Sequence, residues 1–145
     1  MRRARLAASL ALLLPLTAAG QDRSSPVDLV QAQLTVPSKV QVGKRFFVID
    51  VVENVGEAGA TPTITGFCLS KTETCGPDGL KFAARRVPSL ESGQTHQGES
   101  RLELPASVEP GTYFLIVTAN ANSDVTERYR DNNVLARKLE VKAKK

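Results

Sequence analysis

Among residue types able to coordinate or react, the densest set falls in one stretch: Asn120, Asn122, Asp124, Glu127, Asp131 and Asn132. These are hard oxygen donors, the ligand type that calcium prefers. Their spacing is not that of an EF-hand, and Arg128 and Arg130 stand inside the stretch, where they would oppose a dication. The other reading is structural, because Asp and Asn side chains bond nearby backbone groups in turns and tolerate left-handed backbone. The calcium reading rests on Asp124, Glu127 and Asp131. The structural one rests on Asp131, Asn132 and Asn133, which would fasten the last strand.

Cys68 and Cys75 are the chain's two cysteines, with six residues between them. In an exported protein an even count reads as one disulfide. A lone C-x6-C in a chain with one histidine is poor zinc chemistry, since a structural site wants four N or S ligands. Nor is it the C-x-x-C of a redox protein. That one histidine, His96, lies in a polar run and is expected to be an exposed strand residue. The serines lack a G-x-S-x-G elbow, and there is no Trp to build a sugar platform. These residues argue against an enzyme and call for no cofactor.

The elements that position these residues begin after a targeting segment. Arg2, Arg3 and Arg5 precede an apolar run from Leu6 to Leu16, and Ala18-Ala19-Gly20 offers small residues for cleavage. This layout predicts a cleaved secretory signal peptide over 1–20, its apolar run being short for a stable membrane anchor; a retained N-terminal anchor is the alternative. The mature protein is then periplasmic or secreted. Removing three of the 19 Lys plus Arg leaves 16 against 15 Asp plus Glu, so the basic balance is largely a targeting feature. Nothing here demands nucleic acid. A flexible polar leader is expected over 21–26 and a solvated basic tail over 143–145.

Between them, over 27–142, short apolar runs alternate with turn signals and no segment has a helical period. Seven runs are expected: 27–36, 45–53, 61–70, 80–87, 94–104, 112–121 and 134–141. The first alternates, with Val30, Ala32, Leu34 and Val36 on one side and Gln31, Gln33 and Thr35 on the other, until Pro37 closes it. Seven strands at this spacing predict an all-β, immunoglobulin/fibronectin-III-like β-sandwich. Tyr113, just after Pro110-Gly111 at the start of the sixth strand, stands where a tyrosine corner would place it.

The motifs D-L-V-x5-V-P, V-G-x-R-F-x-V, E-N-V-G, F-C-L-S, V-P-S-L-x-S-G, P-G-T-Y and E-x3-D-N-N follow one another from Asp28 onward. In this order the chain resembles the CARDB domain, the cell-adhesion-related domain found in bacteria. The resemblance covers Asp28 to about Val141. It implies a seven-stranded sandwich in exported bacterial proteins, usually an accessory module without catalytic activity, with Asn54 of E-N-V-G and Asp131, Asn132 and Asn133 of the last motif among its signature positions. Two departures stand out. The loop after the third strand, usually acidic and Gly-rich, holds the cysteine pair. The crossing loop, usually strongly acidic, holds Arg128 and Arg130.

Two strands are apolar on both sides. In the second, Phe46, Val48 and Val52 should face the core, with Asp50 on the same side, yet Phe47, Ile49 and Val51 opposite are at least as apolar. In the sixth, Phe114 and Ile116 oppose Tyr113, Leu115 and Val117. A strand with one wet face alternates more cleanly. Either a bulge shifts the parity, a loop covers the outer face, or that face meets another chain. Together these features predict a non-catalytic binding or adhesion-type module. It would present loops or strand faces to an envelope protein partner or, as a homo-oligomer, to itself. The alternatives are a calcium-binding or metal-dependent accessory module and a periplasmic chaperone or inhibitor that takes a client strand at an open edge.

Overall fold

A computed structural model describes residues 20–145. The predicted signal peptide over 1–20 therefore lies outside the described residues, apart from Gly20. Eight strands follow in order: β1 (Leu29–Thr35), β2 (Lys39–Gln41), β3 (Arg45–Asn54), β4 (Thr63–Ser70), β5 (Leu80–Val87), β6 (Thr95–Glu103), β7 (Gly111–Thr118) and β8 (Val134–Lys142). They form a three-stranded sheet, β1-β3-β6, and a five-stranded sheet, β2-β8-β7-β4-β5. The expected immunoglobulin-like sandwich is present with one strand more than the seven expected. The additional strand is β2, which pairs in parallel with β8 through Lys39↔Glu140, Val40↔Val141 and Gln41↔Lys142. Pro37 cannot donate to a ladder, so β1 ends there and the chain crosses to the opposite sheet within two residues. Three residues are too few to carry a periodic signal.

The expected alternation of the first run is corrected by a bulge. The β1–β3 register shifts between Gln31 and Gln33, and an inserted residue reverses which side chains point inward. Leu29, Gln31 and Leu34 are buried as a result, while Ala32 is exposed. In β3 there is no such shift: its pairing with β6 runs unbroken from Arg45↔Glu103 to Glu53↔Thr95. The inward side of β3 is therefore Phe46, Val48, Asp50, Val52 and Asn54, all buried.

The core has two parts. Val48 belongs to a larger cluster with Phe67, Leu69, Leu102, Leu115 and Val117. Val52 belongs to a smaller one with Leu29, Ala60, Val87, Leu90 and Ala119. Asp50 stands between them on the same strand. Each fully buried Leu, Val or Phe is worth about 1.5–3 kcal/mol relative to exposure, so these clusters fix which faces meet. Residues 21–26, expected to be a flexible leader, are laid along the crossing loop. Gln21 forms a parallel bridge with Glu127, the Asp22 N–H donates to the Glu127 carbonyl, and Ser25 Oγ donates to the Thr126 carbonyl at 2.9 Å.

Candidate functional site

The polar layer between the two apolar clusters is built around Asp50, which is fully buried. Arg85 Nε donates to Oδ1 and Nη2 to Oδ2, both at 2.7 Å, a bidentate pair. Gln31 Nε2 donates to Oδ2 at 2.9 Å, so the bulge that turned Gln31 inward supplies a further donor. Arg85 comes from β5 and Asp50 from β3, in different sheets, and the guanidinium passes over Gly98 of β6 to make the contact. A Cβ on Gly98 would lie 2.3 Å from Arg85 Cζ, so a side chain there is incompatible with the pair. His96 is half-buried, not exposed as expected, because Arg85 Nη1 approaches its Nδ1 at 3.0 Å. Arginine only donates, so the ring accepts at Nδ1. An inward Asp flanked by core positions was a signal that a cation must follow. Which cation was not readable from spacing.

The second polar centre lies inside the crossing loop. Glu127 is fully buried. Its Oε1 accepts the Leu29 N–H at 2.7 Å. Its Oε2 accepts Asn120 Nδ2 at 2.7 Å and Asn133 Nδ2 at 2.6 Å. Asn120 takes a left-handed backbone, φ 49°, and its amide spans the turn to the Val125 carbonyl and N–H. Asn133 Nδ2 also donates to the Ala119 carbonyl, and Asn132 Nδ2 donates to Asp28 Oδ1 at 3.0 Å. Burial pushes the Glu127 carboxyl above its ordinary value of 4.5, against the Asn120, Asn133 and Leu29 hydrogen bonds and the charge of Arg130, which pull it down. Arg130 Nη1 stands 3.9 Å from Glu127 Oε2 and donates to Ser123 Oγ, while Nη2 donates to the Asn120 carbonyl. Arg128 ties the loop to the Ser25 carbonyl and to Glu57.

This geometry does not fit the calcium set. Both Glu127 oxygens are occupied by N–H donors, whereas Asp124 and Asp131 are exposed. Among the described residues, no three His, Cys, Asp or Glu side chains group so as to hold a metal. Of the positions given structural roles, Asn132 and Asn133 are tied as above. Asn54 donates from Nδ2 to the Ala58 and Leu90 carbonyls and accepts the Gly56 N–H. Asp131 is on the surface. Tyr113 Oη donates to the Glu109 carbonyl at 2.7 Å, the hydrogen bond of a tyrosine corner, and Lys71 Nζ lies 3.8 Å above its ring.

Cys68 and Cys75 form a disulfide. Gly79 packs beneath it, where a Cβ would stand 2.8 Å from Cys75 Sγ and 2.9 Å from Cys68 Sγ. The cysteine loop follows β4 and the crossing loop follows β7. Because β4 and β7 are antiparallel, with Ser70 opposite Phe114 and Gly66 opposite Thr118, the two loops leave from opposite ends of the sheet. The five apolar residues singled out as a possible contact surface divide between the two sheets. Ile116 shares a face with its cross-strand partner Cys68 and is 1% exposed, so it offers nothing to a partner; Phe114 is half-buried. On the other sheet Phe47 is 53% exposed, and Ile49 and Val51 are half-buried. No bulge in β3 accounts for that ridge, since its ladder with β6 is unbroken and the shift in its ladder with β1 lies on the β1 side.

Two packed sheets, antiparallel except where β2 joins β8, with a tyrosine corner and a crossing loop before the last strand, define an immunoglobulin/fibronectin-III-like β-sandwich. The family described as CARDB matches residues 26–137, and the chain belongs to that family. Among solved structures it is similar to the CARDB domain of a Pyrococcus furiosus protein in complex with di-metal ions: 21% identity, covering 80% of this chain and 89% of that one, TM-score 0.60. It is also similar to a domain assigned to a cell-surface protein of Methanosarcina acetivorans: 23% identity, 81% of this chain and 94% of that one, TM-score 0.61. A β-glucosidase of Erythrobacter marinus matches with 13% identity and TM-score 0.57, but over only 16% of the glucosidase chain. These likenesses concern the fold. Comparison with curated proteins finds no match. Among the described residues no helix is long and apolar enough to cross a membrane.

Proposed function

We propose that the chain is a non-catalytic binding module that works outside the cytoplasm and meets a protein partner through the outer face of the β1-β3-β6 sheet. One observation carries the reading: Phe47 stands 53% exposed on the central strand, with Ile49 and Val51 half-buried along the same line. On β6, Phe47, Ile49 and Val51 stand opposite Arg101, Glu99 and Gln97 respectively. An apolar ridge with a polar border has the make-up of a contact patch. The disulfide supports an oxidising compartment, as does the signal-like opening of the chain. The relative solved with di-metal ions motivates a metal-dependent alternative, but here Glu127 is spent on the loop and Asp124 and Asp131 are not gathered with it.

The test is a photo-crosslinking residue at position 47, with the same residue at exposed Glu91 as control, in cells producing the full chain. A discrete adduct from position 47 that Ile49→Lys abolishes is the expected result. If both positions give the same diffuse pattern, the ridge is an ordinary surface and the reading fails. An adduct of twice the chain's mass identifies the partner as a second copy.

A further inference from the structure

The cations of this protein are not spread evenly. Lys39 of β2, Lys44 and Arg45 at the start of β3, and Lys142, Lys144 and Lys145 at the end of β8 and beyond line one groove of about 670 Å³. They come from two stretches far apart in the sequence, 39–45 and 142–145, so the fold assembles the groove. The tail expected to be solvated over 143–145 is exposed, and its residues line this groove. The Lys144 stem runs over Gly43, where a Cβ would meet its Cδ at 3.4 Å. No acidic residue lines the groove. Two acids stand near it: Glu140 pairs with Lys142 at 2.7 Å, and Glu103 lies 3.9 Å from Arg45. Both pairs are open to solvent, where an ion pair is worth about 0–1 kcal/mol, so the excess positive charge is left largely uncompensated. Between the cations the lining is apolar, with Pro37, Val40, Phe46 and Ala143.

The same groove lies beside a strand edge. β2 ends the five-stranded sheet, with β8 on one side and no strand on the other. An edge of three residues is a short template by itself, and a charged, partly apolar groove beside it supplies what backbone pairing alone would not. We propose that this groove binds an extended acidic peptide segment of a partner protein, added along β2. Its acidic side chains would face the six cations, and its alternate apolar side chains would enter between Val40 and Phe46. A concave groove next to an open ladder favours an extended chain over a flat anionic membrane surface, which could satisfy the charge but not the edge. The proposal does not rest on the Phe47 ridge, which runs along the outer face of β3, whereas the groove takes only Arg45 and Phe46 from the start of that strand.

The experiment uses the full chain and fluorescence anisotropy with a labelled peptide of alternating Glu and Val. Binding should weaken as salt rises and fall about tenfold or more when Glu is replaced by Gln in the peptide, because screened and lost charge act on the same term. Lys44→Glu together with Lys144→Glu should produce a similar loss with an unchanged thermal midpoint, both side chains being exposed. Methylating alternate backbone nitrogens of the peptide should abolish binding, since it removes the donors a strand needs. Phosphatidylglycerol vesicles and inorganic polyphosphate serve as competing anions. Binding to either without binding to the peptide overturns the proposal. So does equal binding of the N-methylated peptide, or indifference to the double charge reversal.

Discussion

Asp50 lies between two sheets against a guanidinium, whereas Glu127 lies inside a loop against two side-chain amides and one backbone N–H. Both carboxylates are fully buried, and leaving either unsatisfied in the interior would be costly. The difference is in what the compensation connects. The Arg85–Asp50 pair joins β5 to β3, elements with no ladder between them, and so closes the side of the sandwich where the edge strands β5 and β6 meet. The Glu127 clasp gathers Asn120 and Asn133, near the two ends of its own loop, and fastens them to Leu29 of the first strand. A full opposing charge is used where the fold needs reach between sheets. Fixed dipoles are used where it needs a precise loop shape. Burial raises the Glu127 pKa, although the hydrogen bonds of the clasp pull it down.

The contrast can be broken most severely at Asp50. Asp50→Ala leaves Arg85 charged in a site where its side chain is 11% exposed, and should cost about 3–5 kcal/mol in urea unfolding, the usual result of removing one partner of a buried pair. Replacing both partners, Asp50→Leu with Arg85→Met, should recover most of that loss. A double variant as unstable as the single one would show that the layer does more than neutralise charge. Gly98→Ala should cost about 3 kcal/mol, because the new methyl displaces the guanidinium and leaves Asp50 buried with fewer partners. Thermal unfolding would read the loss, and a shift within error would mean that Arg85 reaches Asp50 by another route.

Glu127→Gln sharpens the other side. In any orientation the new amide turns an N–H toward an existing donor, at a cost of about 1–3 kcal/mol. The pH dependence is more diagnostic. A carboxyl whose folded pKa is raised binds its proton more tightly in the folded state. Its contribution to stability is therefore fully present below the ordinary value of 4.5 and is lost as pH rises through the raised folded value. Acidifying from neutral pH toward 4.5 should relieve this cost in the parent, and the relief should vanish in Glu127→Gln. Parallel urea midpoints across that window check it; superimposable profiles would refute the clasp's role in titration. Tyr113→Phe, remote from both carboxylates, should cost only about 1 kcal/mol for one hydrogen bond and leave the pH profile unchanged.

Much of the scaffold could be read along the chain. The runs that became seven of the strands, the inward parity of β3 with Asp50 on the core side, the position of Tyr113 after Pro110-Gly111 and the pairing of Cys68 with Cys75 are all set by neighbours a few residues away. The outer apolar ridge was visible too, although whether a bulge explained it was not. The candidate sites were read less well. The crossing loop was recognised as a dense set of oxygen donors, but that Glu127 faces inward while Asp124 and Asp131 face out depends on where Leu29 lies. Ile116, apolar and on the outer side, gave no sign that it would be buried beside a disulfide.

The sequence by itself determined the alternation of strands, the corner and the disulfide, because side-chain period, proline and glycine geometry and short loop closure act over a few residues. The tertiary structure alone decided that Lys39–Gln41 would join the opposite sheet, that a bulge would turn Gln31 inward, and that Arg85 would cross Gly98 to reach Asp50, 35 residues away in the chain. It also drew lysines from two distant stretches into one groove. Such contacts depend on sheet register and on which edges face each other, and those are fixed only when the apolar faces of both sheets are buried together.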